Sequence, residues 1–118
     1  MQTFEPWDVV KVPFPYTDRP VRERRPALVA ASGSLQEERG LLWVLMITSA
    51  TGRASEGNVP VSDPAHAGLP VPSIVRAAKI ATIDAKQAVR IGTLPAGDRR
   101  AVIARLEVAP AGLRTSAR

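Results

Sequence analysis

The sequence contains no cysteine and only one histidine among its 118 residues. The lack of cysteine excludes disulfides, thiolate chemistry and every sulfur-ligated metal site. The histidine has no acidic partners at ligand spacing, so we expect no zinc or iron site and no cofactor. No apolar run reaches the roughly 18 residues that a membrane-spanning helix needs.

The chain length favours one domain, because a chain of this size can bury a core without disulfides or metals. We expect that domain to cover residues 1–110, followed by a frayed tail over residues 111–118. The first ten residues, MQTFEPWDVV, lack the basic and apolar regions of a signal peptide. We therefore expect a cytoplasmic protein.

Basic residues outnumber acidic ones, 16 to 11, which gives a formal net charge of +5. Most of this charge is carried by arginine, whose planar guanidinium binds phosphate through two donors at once. A small basic domain suggests a polyanionic partner, with nucleic acid as the first candidate.

Short segments with strand patterns dominate the chain. Val10, Val12 and Phe14 recur at every second position, which is the period of a half-buried strand. Turns are expected over residues 32–40. Further strands are expected from residue 26 to about residue 31 and over residues 41–47, 58–61, 72–84 and 88–94.

The run LLWVLMI at residues 41–47 is unbroken apolar sequence of strand length. It predicts a central strand that is buried on both faces, with Trp43 in the core. Helical structure is expected as one turn over residues 62–68 and as a C-terminal helix over residues 98–108. This order predicts a mainly β protein with short helices, built as a small β-barrel.

Six segments in order resemble the MazF/PemK family of toxin ribonucleases. They span roughly residues 7–108 and read DVVKVPFPYTD, RRPALV, VLMITSA, NVPVSDPAHAGLPVPSIVR, KIATID and IGTLPAGD. The resemblance implies an SH3-like barrel, shared with the gyrase-binding toxin CcdB, that forms a homodimer. It also implies metal-independent cleavage of single-stranded RNA, and a cognate antitoxin whose tail covers the RNA groove.

The same resemblance assigns catalysis to Arg25, directly before the proline of the second strand, and to Thr48, at the end of the central strand. Attack by a ribose 2′-hydroxyl passes through a phosphorane with extra negative charge, which a preorganised guanidinium stabilises. Pro26 favours an extended Arg25 and so aims its side chain. The general base stays unassigned.

A second set of residues is predicted to contact RNA. For these the alternative is a solvated loop or the wet face of a strand, and Asp18 could orient Arg25, act as a base or simply form a turn. The set comprises Thr17, Asp18, Arg19, Arg22, Arg24, Ser49, Arg53, Arg76 and Lys79.

The sequence departs from the family pattern at two places. Trp7 stands where a glycine often precedes the Asp-Val pair. That glycine begins the first strand, so the change affects the backbone geometry at the start of that strand. Ala77 and Ala78 stand where some relatives carry an acidic residue, which concerns RNA preference or dimer contacts.

Two other functions use the same kind of barrel. One is a dimeric poison that binds a topoisomerase without cutting RNA, and the other is a nucleic-acid-binding module that does not cut. Fold alone does not decide among them. The pair Arg25 and Thr48 favours the nuclease, because a gyrase-binding toxin has no need of it.

Overall fold

A computed structural model describes residues 3–14, 23–50 and 58–108 of the chain. The mainly β prediction with short helices and a C-terminal helix is confirmed. The elements in chain order are β1 Asp8–Phe14, β2 Glu23–Ala31, α1 Ser34–Arg39, β3 Leu41–Ser49, β4 Asn58–Pro60, β5 Ser73–Asp84, a 3₁₀ turn Ala85–Gln87, β6 Val89–Thr93 and α2 Ala96–Val108.

The strands form one antiparallel sheet of six in the order β4-β5-β3-β2-β1-β6. β3 is therefore central, as predicted. Within the described ranges, β4 and β6 end the sheet and do not pair with each other. The described strands thus form an open sheet rather than a closed barrel.

The sheet buries apolar side chains on both faces, because successive residues of a strand point to opposite sides. On one face a first core packs against α2, with Val9, Leu28, Leu45, Ile47, Val75 and Val102 among its members. On the other face a second core includes Phe4, Val10, Val12, Ala27, Val29, Leu42 and Val44. Because both faces of the sheet are buried, β1 carries apolar residues at successive positions, such as Val9 and Val10, and not only at every second position.

A turn at Pro64–Gly68 packs against β6 through two glycines. A Cβ atom on Gly68 would overlap the carbonyl of Ile91, and a Cβ on Gly92 would overlap the backbone of Ala67. Gly68 also has a φ of 75°, a conformation that glycine adopts at no steric cost. These residues make the single helical turn that the sequence predicts: the Ala67 N–H donates to the Asp63 carbonyl four residues back at 3.3 Å, and the Asp63 side chain accepts a hydrogen bond from the His66 N–H at 3.2 Å.

Two predictions around β3 were wrong. Trp43 is 49% exposed rather than in the core, so β3 is not buried on both faces along its whole length. Trp43 pairs with Ala31 and Thr82 on the flanking strands and lies outside both buried clusters. The turn-rich segment before β3 contains α1, which ends at Gly40 with a φ of 68°.

The second strand begins at Glu23, three residues before the predicted start. The sequence-based prediction began this strand at residue 26 and so left Arg24 and Arg25 outside it. In the structure Arg24 and Arg25 are strand residues, paired with Pro13 and Val12 of β1. This difference decides where their side chains point.

Trp7 has a φ of 79°, the left-handed conformation that favours glycine. Its backbone is held on both sides: the Trp7 N–H donates to the Val29 carbonyl at 2.9 Å, and the Leu94 N–H donates to the Trp7 carbonyl at 2.9 Å. Its ring packs against the first core and lies under the Arg99 guanidinium, 5.9 Å from the ring centroid. Side-chain packing thus maintains a backbone geometry that glycine would adopt freely.

This geometry predicts an unusual order of stability for two truncations of Trp7. Both Trp7→Ala and Trp7→Gly lose the ring contacts, so both should be less stable than the wild type. Trp7→Gly should be the more stable of the two by about 1 kcal/mol, because only glycine escapes the left-handed strain. Urea unfolding measures the difference, and an alanine variant as stable as the glycine variant would contradict it.

Candidate nucleic-acid interface

Arg25 lies near the start of β2, directly before Pro26. Pro26 restricts Arg25 to extended backbone, and Arg25 is indeed a strand residue, paired with Val12. The residue is half-buried, and its Nε atom is shielded from solvent. The guanidinium therefore emerges from a side chain that the sheet holds over much of its length.

Thr48 is the penultimate residue of β3 and is half-buried. It pairs with Ile74 of β5. The apolar residues before it hold this part of β3 in the sheet: Leu45 and Ile47 lie in the first core, and Val44 lies in the second. The hydroxyl group is thus placed by the best-anchored strand of the sheet.

The register of β2 against β3 bears on the positions of the two predicted catalytic residues. The pairing of these strands ends at Ala27–Met46, and residues that lie directly opposite share a face. Arg25 lies two residues before Ala27, and Thr48 lies two residues after Met46. The same antiparallel register, continued by two residues beyond that last pair, would put Arg25 opposite Thr48 on one face.

Along the strands, this face changes from buried apolar residues to partly exposed residues. Ala27 and Val29 of β2, and Val44 of β3, belong to the second core. Further along the same face toward this end of the sheet lie Arg25 on β2, and Met46 and then Thr48 on β3, which are all partly exposed. A fixed cation and a hydroxyl group beside a packed core form a surface suited to an anionic group such as a phosphate.

Arg76 lies on the same face as the predicted catalytic residue Thr48. It pairs with Met46, is half-buried, and sits diagonally across from Thr48 on β5. Beyond it the register shifts, since Leu45 pairs with Ile80. Lys79 falls within this β-bulge; its backbone is part of β5.

Two other candidates lie on the opposite face. Ser49 follows Thr48 in β3, so its side chain points to the other side of the strand. Arg24 is the residue before Arg25 in β2, so its side chain also points to the other face. One Arg24 NH2 group donates to the Lys11 carbonyl at 3.4 Å and the Gln87 carbonyl at 3.1 Å. Arg24 thus braces β1 and the turn before β6.

The remaining candidates for RNA contact lie outside the described residues. They are Thr17, Asp18, Arg19, Arg22 and Arg53. Their roles stay predictions from the sequence.

Sequence reasoning missed Asn58, the first residue of β4. It is half-buried and pairs with Arg76, so it shares the face of the catalytic pair. Its only sequence signal is a polar residue at the start of a short apolar strand. Only the long-range pairing of β4 with β5 brings it to the site.

The described part of the chain contains no group of three or more His, Cys, Asp or Glu side chains that could hold a metal ion. In the same residues, no helix is long and apolar enough to cross a membrane. The chemistry that this face offers therefore rests on guanidinium, hydroxyl and amide groups.

A family model for the PemK-like, MazF-like toxin of type II toxin–antitoxin systems matches residues 5–109. A search of curated proteins by sequence found no match. The match to the family model covers most of the chain, including every described element.

Solved structures with the same fold include several toxins. MazF from Deinococcus radiodurans is 22% identical, with 92% of this chain and 96% of that chain covered and a TM-score of 0.73. A MazE–MazF structure from the same organism is 27% identical, with coverage of 91% and 95% and a TM-score of 0.69. A mycobacterial endoribonuclease in complex with its cognate antitoxin is 17% identical, with coverage of 88% and 91% and a TM-score of 0.69.

Proposed function

Because the chain belongs to the PemK-like, MazF-like toxin family of type II toxin–antitoxin systems, we propose that it is an endoribonuclease that cuts single-stranded RNA in a sequence-selective manner. The observation that supports this proposal is the Ala27–Met46 pairing, because its register, continued by two residues, puts Arg25 and Thr48 on one face. A similar structure bears the name endoribonuclease, which supports the same reaction class.

The reaction is a transesterification within the RNA. The ribose 2′-oxygen attacks the adjacent phosphorus and loses its proton, while the bond from phosphorus to the 5′-oxygen of the next nucleotide breaks and that oxygen gains a proton. The products carry a 2′,3′-cyclic phosphate and a 5′-hydroxyl. Arg25 stabilises the negative charge that develops on the phosphorane oxygens. The Thr48 hydroxyl donates a hydrogen bond to the same phosphate.

We propose that this cleavage needs no metal ion. The nucleophile belongs to the substrate, and the charge that a metal would neutralise is met by a fixed guanidinium. The absence of cysteine from the chain and of a three-residue donor cluster from the described residues supports this assignment.

Removal of Arg25 or Thr48 should slow cleavage by different amounts. Arg25→Ala should lose about 10²–10³ in rate, which is the typical cost of removing a preorganised donor to a developing oxyanion. Thr48→Ala should lose less, because a neutral hydroxyl group interacts more weakly with a phosphate than a charged guanidinium group does. Single-turnover cleavage of a defined RNA on a denaturing gel measures both effects.

The same gel tests the chemistry. Excess chelator should leave the wild-type rate unchanged, and a deoxyribose at the cut site should block cleavage. Neither Arg25 nor Thr48 belongs to the buried clusters, so both variants should keep the wild-type circular dichroism spectrum. An Arg25→Ala enzyme as fast as the wild type, or inhibition by chelator, would overturn the mechanism.

We propose a cognate antitoxin as the protein partner, with a tail that covers the RNA-binding face. One similar structure is of MazE–MazF. Another is of an endoribonuclease in complex with its cognate antitoxin. Cellular RNA is the substrate, so we propose that the toxin acts in the cytoplasm.

We also propose that the active toxin is a homodimer. The open sheet leaves strand edges, and edges of this kind are usually covered in soluble proteins. Trp43 and Ile80 add exposed apolar surface on neighbouring positions of β3 and β5, at 49% and 60% exposure. Sedimentation at micromolar concentration should give twice the mass of the 12.6 kDa chain, and a monomer at every concentration would contradict the proposal.

A further inference from the structure

We propose that Asn58 and Arg76 form a subsite for one nucleobase beside the cleaved phosphate, and so contribute to the choice of RNA sequence. This inference rests on the proposed nuclease function. It starts from the pairing of β4 with β5, which places Asn58 directly opposite Arg76.

Two cross-strand rows define the subsite. In the first, Asn58 of β4, Arg76 of β5 and Met46 of β3 lie side by side. In the second, Ile74 lies beside Thr48. Residues paired across strands share a face, as do residues two apart along a strand, so all five side chains lie on the face of the catalytic pair.

The spacing separates the subsite from the cut. Thr48 and Asn58 lie on strands that are two neighbours apart, which is roughly 10 Å across the sheet. One phosphate cannot contact both side chains over that span. A nucleotide adjacent to the cleaved phosphate can reach Asn58 while Thr48 and Arg25 hold the phosphate itself.

The side chains suit a base rather than a second phosphate. An amide offers a donor beside an acceptor, which matches the hydrogen-bonding edge of a base. A guanidinium plane is a surface on which an unstacked RNA base can stack. Met46 and Ile74, both half-buried, provide apolar contact between the subsite and the catalytic pair.

The backbone holds this arrangement. Arg76 lies in a long strand between two partners, and it is the last residue before the β-bulge of β5. Asn58 and Arg76 are both half-buried, which limits their rotamers while leaving surface for a ligand. A subsite on strands is placed more reproducibly than one on loops.

The test is cleavage of an RNA pool with randomised sequence, followed by sequencing of the cut sites. The wild type should show a base preference at one position flanking the cut. Asn58→Ala should flatten that preference by about tenfold, the scale of one well-formed pair of hydrogen bonds to a base. Asn58→Asp should shift it toward bases that present donors, because a carboxylate only accepts hydrogen bonds.

Arg76→Lys provides a second route to the same result, since it keeps the charge but removes the stacking plane. It should flatten the preference at the same position even if an Asn58 variant unfolds. Arg100→Lys is the matched control: Arg100 is exposed on α2, which packs against the first core on the other face of the sheet. It should leave both rate and preference unchanged.

The outcomes separate the two proposals. A wild-type protein that cuts no RNA in the pool would overturn the nuclease function. A wild type that cuts selectively, with folded Asn58→Ala and Arg76→Lys variants of identical selectivity, would overturn the subsite and leave the nuclease proposal standing. A flattened preference in Arg100→Lys would also overturn it.

Discussion

The register of β2 against β3 is the constraint on which the site depends. Ala27 pairs with Met46 and Leu28 with Leu45, so the two strands bury alternate residues in two different cores. A slip of one residue would turn every buried side chain of β2 to the wrong face. The same slip would carry Arg25 away from Thr48. Burial of the cores therefore fixes the register on which the predicted catalytic pair depends.

The site lies where one apolar face gives way to solvent. Among the described side chains, the second core reaches Val12 on β1 and Ala27 on β2. Arg25 pairs with Val12 and lies two residues before Ala27. Pro26 keeps this part of β2 extended. A cation beside a packed core loses little freedom when it binds a phosphate, because the sheet already holds most of its side chain.

Part of this arrangement is predictable from the sequence. The apolar run of β3 and the ordered motifs lead to Arg25 and Thr48 without a structure. The opposite orientations of Arg24 and Arg25 follow from strand alternation, but only when the strand is known to begin at Glu23. The sequence pattern begins this strand at residue 26, and pairing with β1 extends it back to Glu23.

Other features depend on which elements meet. Asn58 reaches the site through a pairing with β5 across a long stretch of chain, and no local pattern encodes that register. Trp43 is exposed because nothing in the described residues covers its part of the sheet, although its segment is as apolar as a buried strand. The φ of Trp7 is set by contacts with Val29 of β2, with Leu94 directly after β6 and with Arg99 of α2 rather than by its own preference.

The central claim is that Arg25 and Thr48 act on one phosphate, and a double-mutant cycle tests it most directly. Single-turnover cleavage rates would be measured for the wild type, Arg25→Ala, Thr48→Ala and the double variant. Groups that act as a unit on the same transition state are not additive. We predict that the double variant is slower than Arg25→Ala by less than the factor that Thr48→Ala costs alone. Rates that multiply independently would show that the two residues do not share a site.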